Sequence, residues 1–245
     1  MQFTFGSGVM TGVRTDVSGT VTPSQFGTLQ EGSIEFGASS KALFGQFQFP
    51  VAIARGTGNI KGKAKLGAIN ARLFNDLFFQ GTLAVGHQKV SWNEGPSAIP
   101  GTPYQVTVVN SATWVADMGV IDVTTGSEMS RVASAPATGQ YAVAAGVYTF
   151  AAADTTKQVL ISYRYTAAAS GKTVTITNNL LGVNPTFELT FNRRYNNKEF
   201  TVRLLQCVST KLAFNGKLED FEMPDFEFDA FSNASGVIGY ISSDE

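Results

Sequence analysis

The chain has 245 residues, only 15% of them charged, and a formal net charge of -1. That length holds one large or two small domains with a sizeable core, and the near-neutral balance argues against a dedicated nucleic-acid binder, which would carry a basic face or stripe. Abundant glycine and phenylalanine, 25 and 19 residues, with Ser, Thr and Ala between the apolar positions, suit turn-rich β structure rather than disorder or coiled coil.

At the start, Met1 to Gly6 lacks the basic and long apolar regions of a signal peptide, and no run approaches the ~20 apolar residues of a membrane span. The expectation is a protein made in a cytoplasm, with no membrane partner. Phe47, Phe49, Val51 and Ile53 alternate with Gln46, Gln48, Pro50 and Ala52, a strand that Pro50 pushes toward an edge or bulge. Gly56 to Ala64 superficially resembles a phosphate loop, but its glycine spacing is wrong and Ala64 stands where a magnesium-binding hydroxyl belongs. It reads as a turn followed by a strand studded with Lys61, Lys63 and Lys65.

Leu66, Ile69, Leu73 and Leu77, flanked by Phe74 and Phe78, recur at helical spacing, and Gly81 stands where a helix usually ends. The spacing predicts one amphipathic helix over about 64–80, packed on the flank of a sheet. Gly95 to Pro103 contains three prolines and reads as a linker, with a second break at Ala167 to Gly171. Residues 104–166 between them read as an inserted β-sandwich-like module, and 1–103 with 167–245 as a discontinuous domain. One continuous large sheet is the alternative.

Three alternating runs follow, over Val159 to Tyr165, Phe187 to Phe191 and Phe200 to Leu204, each the pattern of a half-buried antiparallel strand. Asn196, Asn197 and Lys198 read as a hairpin turn, because asparagine tolerates positive φ. Near the C-terminus Phe226, Phe228 and Ala230 alternate with Asp225, Glu227 and Asp229, giving one face for burial and one for water. From Asn215 onward there are eight acidic residues and one lysine, against the earlier basic run of Arg55, Lys61, Lys63 and Lys65. The asymmetry suggests head-to-tail attraction between copies, although a solvated charge run is the simpler and preferred explanation.

Catalytic signals are thin. Cys207 is the sole cysteine and sits among apolar residues, which makes it an inert core thiol. His87 is the sole histidine, so no second imidazole exists for a metal site, and no Gly-x-Ser-x-Gly elbow is present. The acids on one strand face lack the opposed environments that glycoside hydrolysis needs. The expectation is a non-enzyme without cofactor or metal.

Several stretches occur in a fixed order: Thr22-Pro23, Phe26-Gly27 and Gln30; Lys41 to Gly45, then Phe49-Pro50 and Arg55-Gly56; Asn75 to Phe79; Asp117 to Val120 and Thr125-Gly126. The series continues with Pro136 to Tyr141, Tyr148 to Phe150, Ile161 to Tyr165 and Pro224 to Phe231. In this order they resemble the major tail tube proteins of tailed bacteriophages over nearly the whole chain. The resemblance implies an antiparallel β-sandwich or barrel with a flanking helix, in a virion protein that assembles into stacked, hexameric rings. It also implies other tail proteins as partners and a channel through which DNA passes without specific binding. Asp225, Glu227 and Asp229 are then candidates for the lumen wall, and Lys61, Lys63, Lys65, Phe74 and Phe78 for ring stacking or interfaces. The inner tube of a contractile injection or secretion machine and a receptor-binding virion protein are the alternatives, with a cell-wall-cleaving enzyme more remote.

Overall fold

The computed structural model describes residues 3–244. Met1 and Gln2, the start of the N-terminal stretch read above, lie outside the described residues, as does Glu245. Among the described residues sixteen strands follow in chain order: β1 Val9–Arg14, β2 Ser24–Gln25, β3 Leu29–Phe44, β4 Pro50–Leu66, β5 Leu83–Ala98, β6 Gln105–Thr107, β7 Trp114–Asp122 and β8 Ser127–Glu128. The rest are β9 Ser130–Arg131, β10 Gln140–Ala144, β11 Val147–Phe150, β12 Gln158–Val174, β13 Thr186–Tyr195, β14 Lys198–Ala213, β15 Asp225–Ala230 and β16 Gly239–Ser243. A single helical turn, α1 Ala71–Phe74, continues into a π-helical turn over Asn75–Phe79. The fold is mainly β, and its strand pairs are antiparallel apart from β9 with β10.

The chain divides into two compact units, Met1–Leu83 with Val174–Glu245, and Ala84–Thr173. The inserted unit therefore begins and ends farther out than the expected 104–166. The prolines of 95–103 do not mark a linker: β5 runs through Gly95 and Pro96, and Ile99 is buried in the core of the inserted unit. The break at Ala167 to Gly171 likewise lies inside β12. Proline can sit where a strand does not need its N–H, so its frequency alone does not separate a linker from a strand end.

The first unit is one eight-stranded sheet, ordered β2-β1-β13-β14-β15-β4-β3 with β16 also on β14. Alternation builds its core. Phe187, Leu189 and Phe191 of β13, Val202 and Leu204 of β14, and Phe226 and Phe228 of β15 share the buried face with Ala64 and Leu66. A Cβ at Gly62 would come within 2.0 Å of the Phe228 ring, its cross-strand neighbour, so only glycine fits between Lys61 and Lys63.

The helix is shorter than the spacing predicted. Ala64, Lys65 and Leu66 belong to β4, whose alternation of lysine with small apolar residues has period two, and Ile69 is exposed before the first turn. Asn70 sets the true start: its side-chain oxygen accepts hydrogen bonds from Arg72 N and Leu73 N at 3.1 and 3.2 Å. Gln80 ends the turn with φ 53, one residue before Gly81. Leu73, Phe74 and Leu77 seal the buried face of the sheet. At the β13–β14 hairpin, Asn196 and Asn197 take φ 49 and 59, as the turn reading requires.

The inserted unit holds the pair of packed sheets that the resemblance implied for the whole chain. Sheets β6-β11-β10-β9 and β5-β12-β7-β8 enclose one core, in which Tyr141, Tyr148 and Phe150 meet Val120, Val159, Ile161 and Tyr163. The discontinuous unit is built instead on one sheet and its helical turn.

Candidate assembly surfaces

The acidic strand does not stand alone. In register, Asp225, Glu227 and Asp229 of β15 lie directly opposite Lys65, Lys63 and Lys61 of β4. On the far side of β4 those lysines face Glu31, Ser33 and Glu35 of β3, and Lys211 of β14 faces Glu227. The solvent face of the sheet is therefore a lattice of both signs. Lys65 Nζ lies 2.7 Å from Glu31 Oε2, Lys211 Nζ 2.9 Å from Glu227 Oε1, and Lys63 Nζ reaches diagonally to Asp225 Oδ1 at 3.9 Å. The Lys211 ammonium holds the Glu227 carboxyl below the usual carboxylate range, and Lys65 does the same for Glu31. Within the chain each of Lys61, Lys63 and Lys65 therefore has a carboxylate as a cross-strand neighbour, and the acids of β15 lie in a face of mixed sign rather than an unbroken negative one.

β3 and β4 outrun their neighbours. β15 pairs with β4 only from Ile60 to Lys65, while the hairpin continues through Gly37 to Asn59 as a two-stranded arm. Leu43, Phe44, Phe47, Phe49, Val51 and Ile53 are all exposed on it, Phe49 to 79%. The expected strand over 46–53 is in fact the arm's tip: residues 46–49 make the bend and β4 starts at Pro50. A two-stranded ribbon has marginal stability in water, and exposed apolar side chains concentrated on one make it a candidate interaction surface. β3 is also the edge of its sheet, with unpaired backbone groups facing outward.

A second exposed apolar feature is the loop between β14 and β15. Leu218 is 100% and Phe221 90% exposed, interleaved with Glu219, Asp220 and Glu222. Phe74, by contrast, is only 4% exposed and packs edge-on to Phe214 at 5.4 Å between centroids. It is a core residue, not an interface residue. Phe78 is partly buried against the same core and stacks edge-on with Phe79 at 4.9 Å.

The remaining chemical groups have structural partners. His87 donates from Nδ1 to the Ser170 carbonyl at 2.6 Å. Burial pushes the Cys207 thiol up to about 12. In the inserted unit Asp117 accepts from Tyr141 and Tyr148 hydroxyls at 2.7 and 3.0 Å, and burial, with that carboxylate, drives both phenols above their ordinary range. Lys157 bridges the buried Asp154 and Asp122 at 2.9 and 3.3 Å. Among the described residues no group of three or more His, Cys, Asp or Glu is placed to hold a metal ion. Among the described residues no helix is long and apolar enough to cross a membrane.

No family model matches the chain, and no curated protein matches it. Sequence reasoning found the residues of the charged face and missed both the arm and the Leu218–Phe221 loop as exposed features. The run from Phe36 to Ile60, which has only Lys41 and Arg55 as charges, was the available signal for the arm.

Proposed function

We propose that this chain is a structural subunit that self-assembles into rings stacked as a tube, the role of a tailed-phage major tail tube protein. One observation carries the proposal: the β3–β4 arm extends past its sheet with six large apolar side chains in water, beside a free strand edge. Such an arm gains stability by packing on a neighbour, and a free edge is satisfied by the next subunit in a closed ring. The solvent face of the sheet suits a channel wall because its charges are matched. A surface with alternating signs gives DNA no run of cations on which to release counterions.

Negative-stain microscopy of the purified protein, with light scattering across a concentration series, tests this reading. Rings or tubes of uniform width, lost when Phe47 and Phe49 are both replaced by Ser, are the expected result. Monodisperse monomers at every concentration overturn it. Regular tubes of this protein found in particles that carry no packaged genome would favour the inner tube of an injection or secretion machine. Trimeric fibres would favour the receptor-binding alternative.

A further inference from the structure

Where the arm leaves the sheet, the structure forms a notch of about 290 Å³. β14 continues past the end of β15 and takes β16 as its neighbour there, while β4 departs into the arm. The fork leaves Phe36, Ile60, Ala230 and Ile238 around an apolar recess whose one charged lining residue is Arg55. Ser40 is the register partner of Arg55 on the facing strand, and Lys41, opposite Ala54, points to the other face of the arm. Among the described residues Arg55 makes no ion pair with a carboxylate.

The Leu218–Phe221 loop has the complementary character. Its two apolar side chains are almost wholly in water, and Glu219, Asp220 and Glu222 beside them form no ion pairs among the described residues. The loop enters β15 at Asp225, whereas the notch lies at the other end of that strand, at Ala230. Five residue steps put the two ends roughly 17 Å apart along the strand, and no residue of the loop lines the notch.

We infer that the Leu218–Phe221 loop of one copy docks in the Phe36–Ile60–Ile238 notch of a second copy, with its carboxylates against Arg55. Knob and notch are different surfaces at opposite ends of one strand, so the contact is head-to-tail and repeats along the strand direction. Apolar side chains in the recess supply the attraction, and the charges around them fix which loop enters. This inference deepens the self-assembly reading by naming the contact that adds one copy to the next along the strand.

Cysteine pairing tests it, because the native Cys207 is fully buried and stays silent. The double variant Leu218→Cys with Ile238→Cys should give a ladder of disulfide-linked species on mild oxidation. A mixture of the two single variants should give linked pairs alone. In parallel, Arg55→Glu should weaken association roughly five- to tenfold, and the added reversal Glu219→Lys with Asp220→Lys should restore it. Every substituted loop position is exposed, so folding is unaffected, and circular dichroism checks it. If oligomers persist by light scattering but no ladder and no charge rescue appear, this contact is wrong and assembly stands. Cross-linking of Phe47→Cys to Ile238→Cys instead would seat the arm's tip in the notch and overturn the inference. Monomers throughout would overturn both readings.

Discussion

Lys211 and Glu227 face each other across β14 and β15, ammonium to carboxylate at 2.9 Å, in the centre of a polar sheet face. The pair favours ionised Glu227 in the folded state, so the carboxyl's folded value is lowered and that of Lys211 is raised. A lowered carboxyl contributes stability above its unfolded value, and the contribution is lost as pH falls through the folded value. The raised lysine contributes below its own unfolded value and loses the contribution as pH rises past it. Lys211→Met is therefore expected to destabilise the protein slightly at neutral pH and to flatten the acid limb of a Tm-against-pH profile. The effect is small because both side chains remain partly in water. An acid limb identical to that of the parent would show that the pair is energetically idle.

Phe74 and Phe78 separate cleanly. Phe74→Asp would place a carboxylate among Leu73, Leu77 and the Phe214 ring without a partner, at a cost of several kcal/mol. Loss of the folded first unit, seen as lost cooperative melting, is the expected outcome. Phe78→Asp, at a partly buried site, should leave a folded protein with a lowered Tm. Equal melting of the two variants would contradict the burial difference.

The boundaries of the inserted unit yield a direct contrast. Glu94 of β5 accepts from the Tyr163 hydroxyl, 2.5 Å away, and from Val109 N at 2.8 Å, and Ile99 fills the same core. A fragment spanning 84–173 should fold and melt cooperatively, whereas 104–166 lacks Glu94 and Ile99 and should be unfolded by NMR. A folded 104–166 fragment would show that β5 is dispensable to the core.

Much of this architecture was legible because the period-two signal is strong where a strand has one wet face. Phe226 and Phe228 against Asp225, Glu227 and Asp229 give the orientation of β15 directly. The start of the helix was not legible: Ala64 and Leu66 satisfy period two as part of β4, yet Leu66, Ile69, Leu73 and Leu77 also satisfy the helical spacing. What decides between them is the cap at Asn70, a local hydrogen bond invisible to apolar periodicity. The lattice of charges was unreadable for another reason. Which lysine meets which acid is a register, fixed by strands far apart in sequence, so Lys63 and Asp225 gave no sign of being neighbours.

Cys207 provides a check on the core of the first unit. It is fully buried, and burial pushes its thiol up to about 12, so almost no thiolate exists near neutral pH. The native protein should not react with a chromogenic disulfide at pH 8, and should react with one thiol per chain in denaturant. Rapid native labelling would show that β13, β14 and β15 open readily at this point.

The charge lattice makes a prediction about DNA. Wild-type protein should not bind duplex DNA at moderate salt, because each lysine on the face has a carboxylate opposite or diagonal to it. Replacing Asp225, Glu227 and Asp229 together by Lys removes those partners and sets like charges directly across from Lys61, Lys63 and Lys65. Like charges in cross-strand pairs destabilise a sheet, so the variant's Tm should fall. Its face should also acquire DNA affinity that weakens steeply with salt, since each neutralised phosphate releases a counterion and the logarithmic slope is about -0.9 per contact. In an assembled tube the same variant should slow DNA passage if this face lines the channel. Fluorescence anisotropy against a salt series measures the first effect and an ejection assay the second. DNA binding by the variant together with unimpaired ejection would remove this face from the channel while leaving the charge lattice intact.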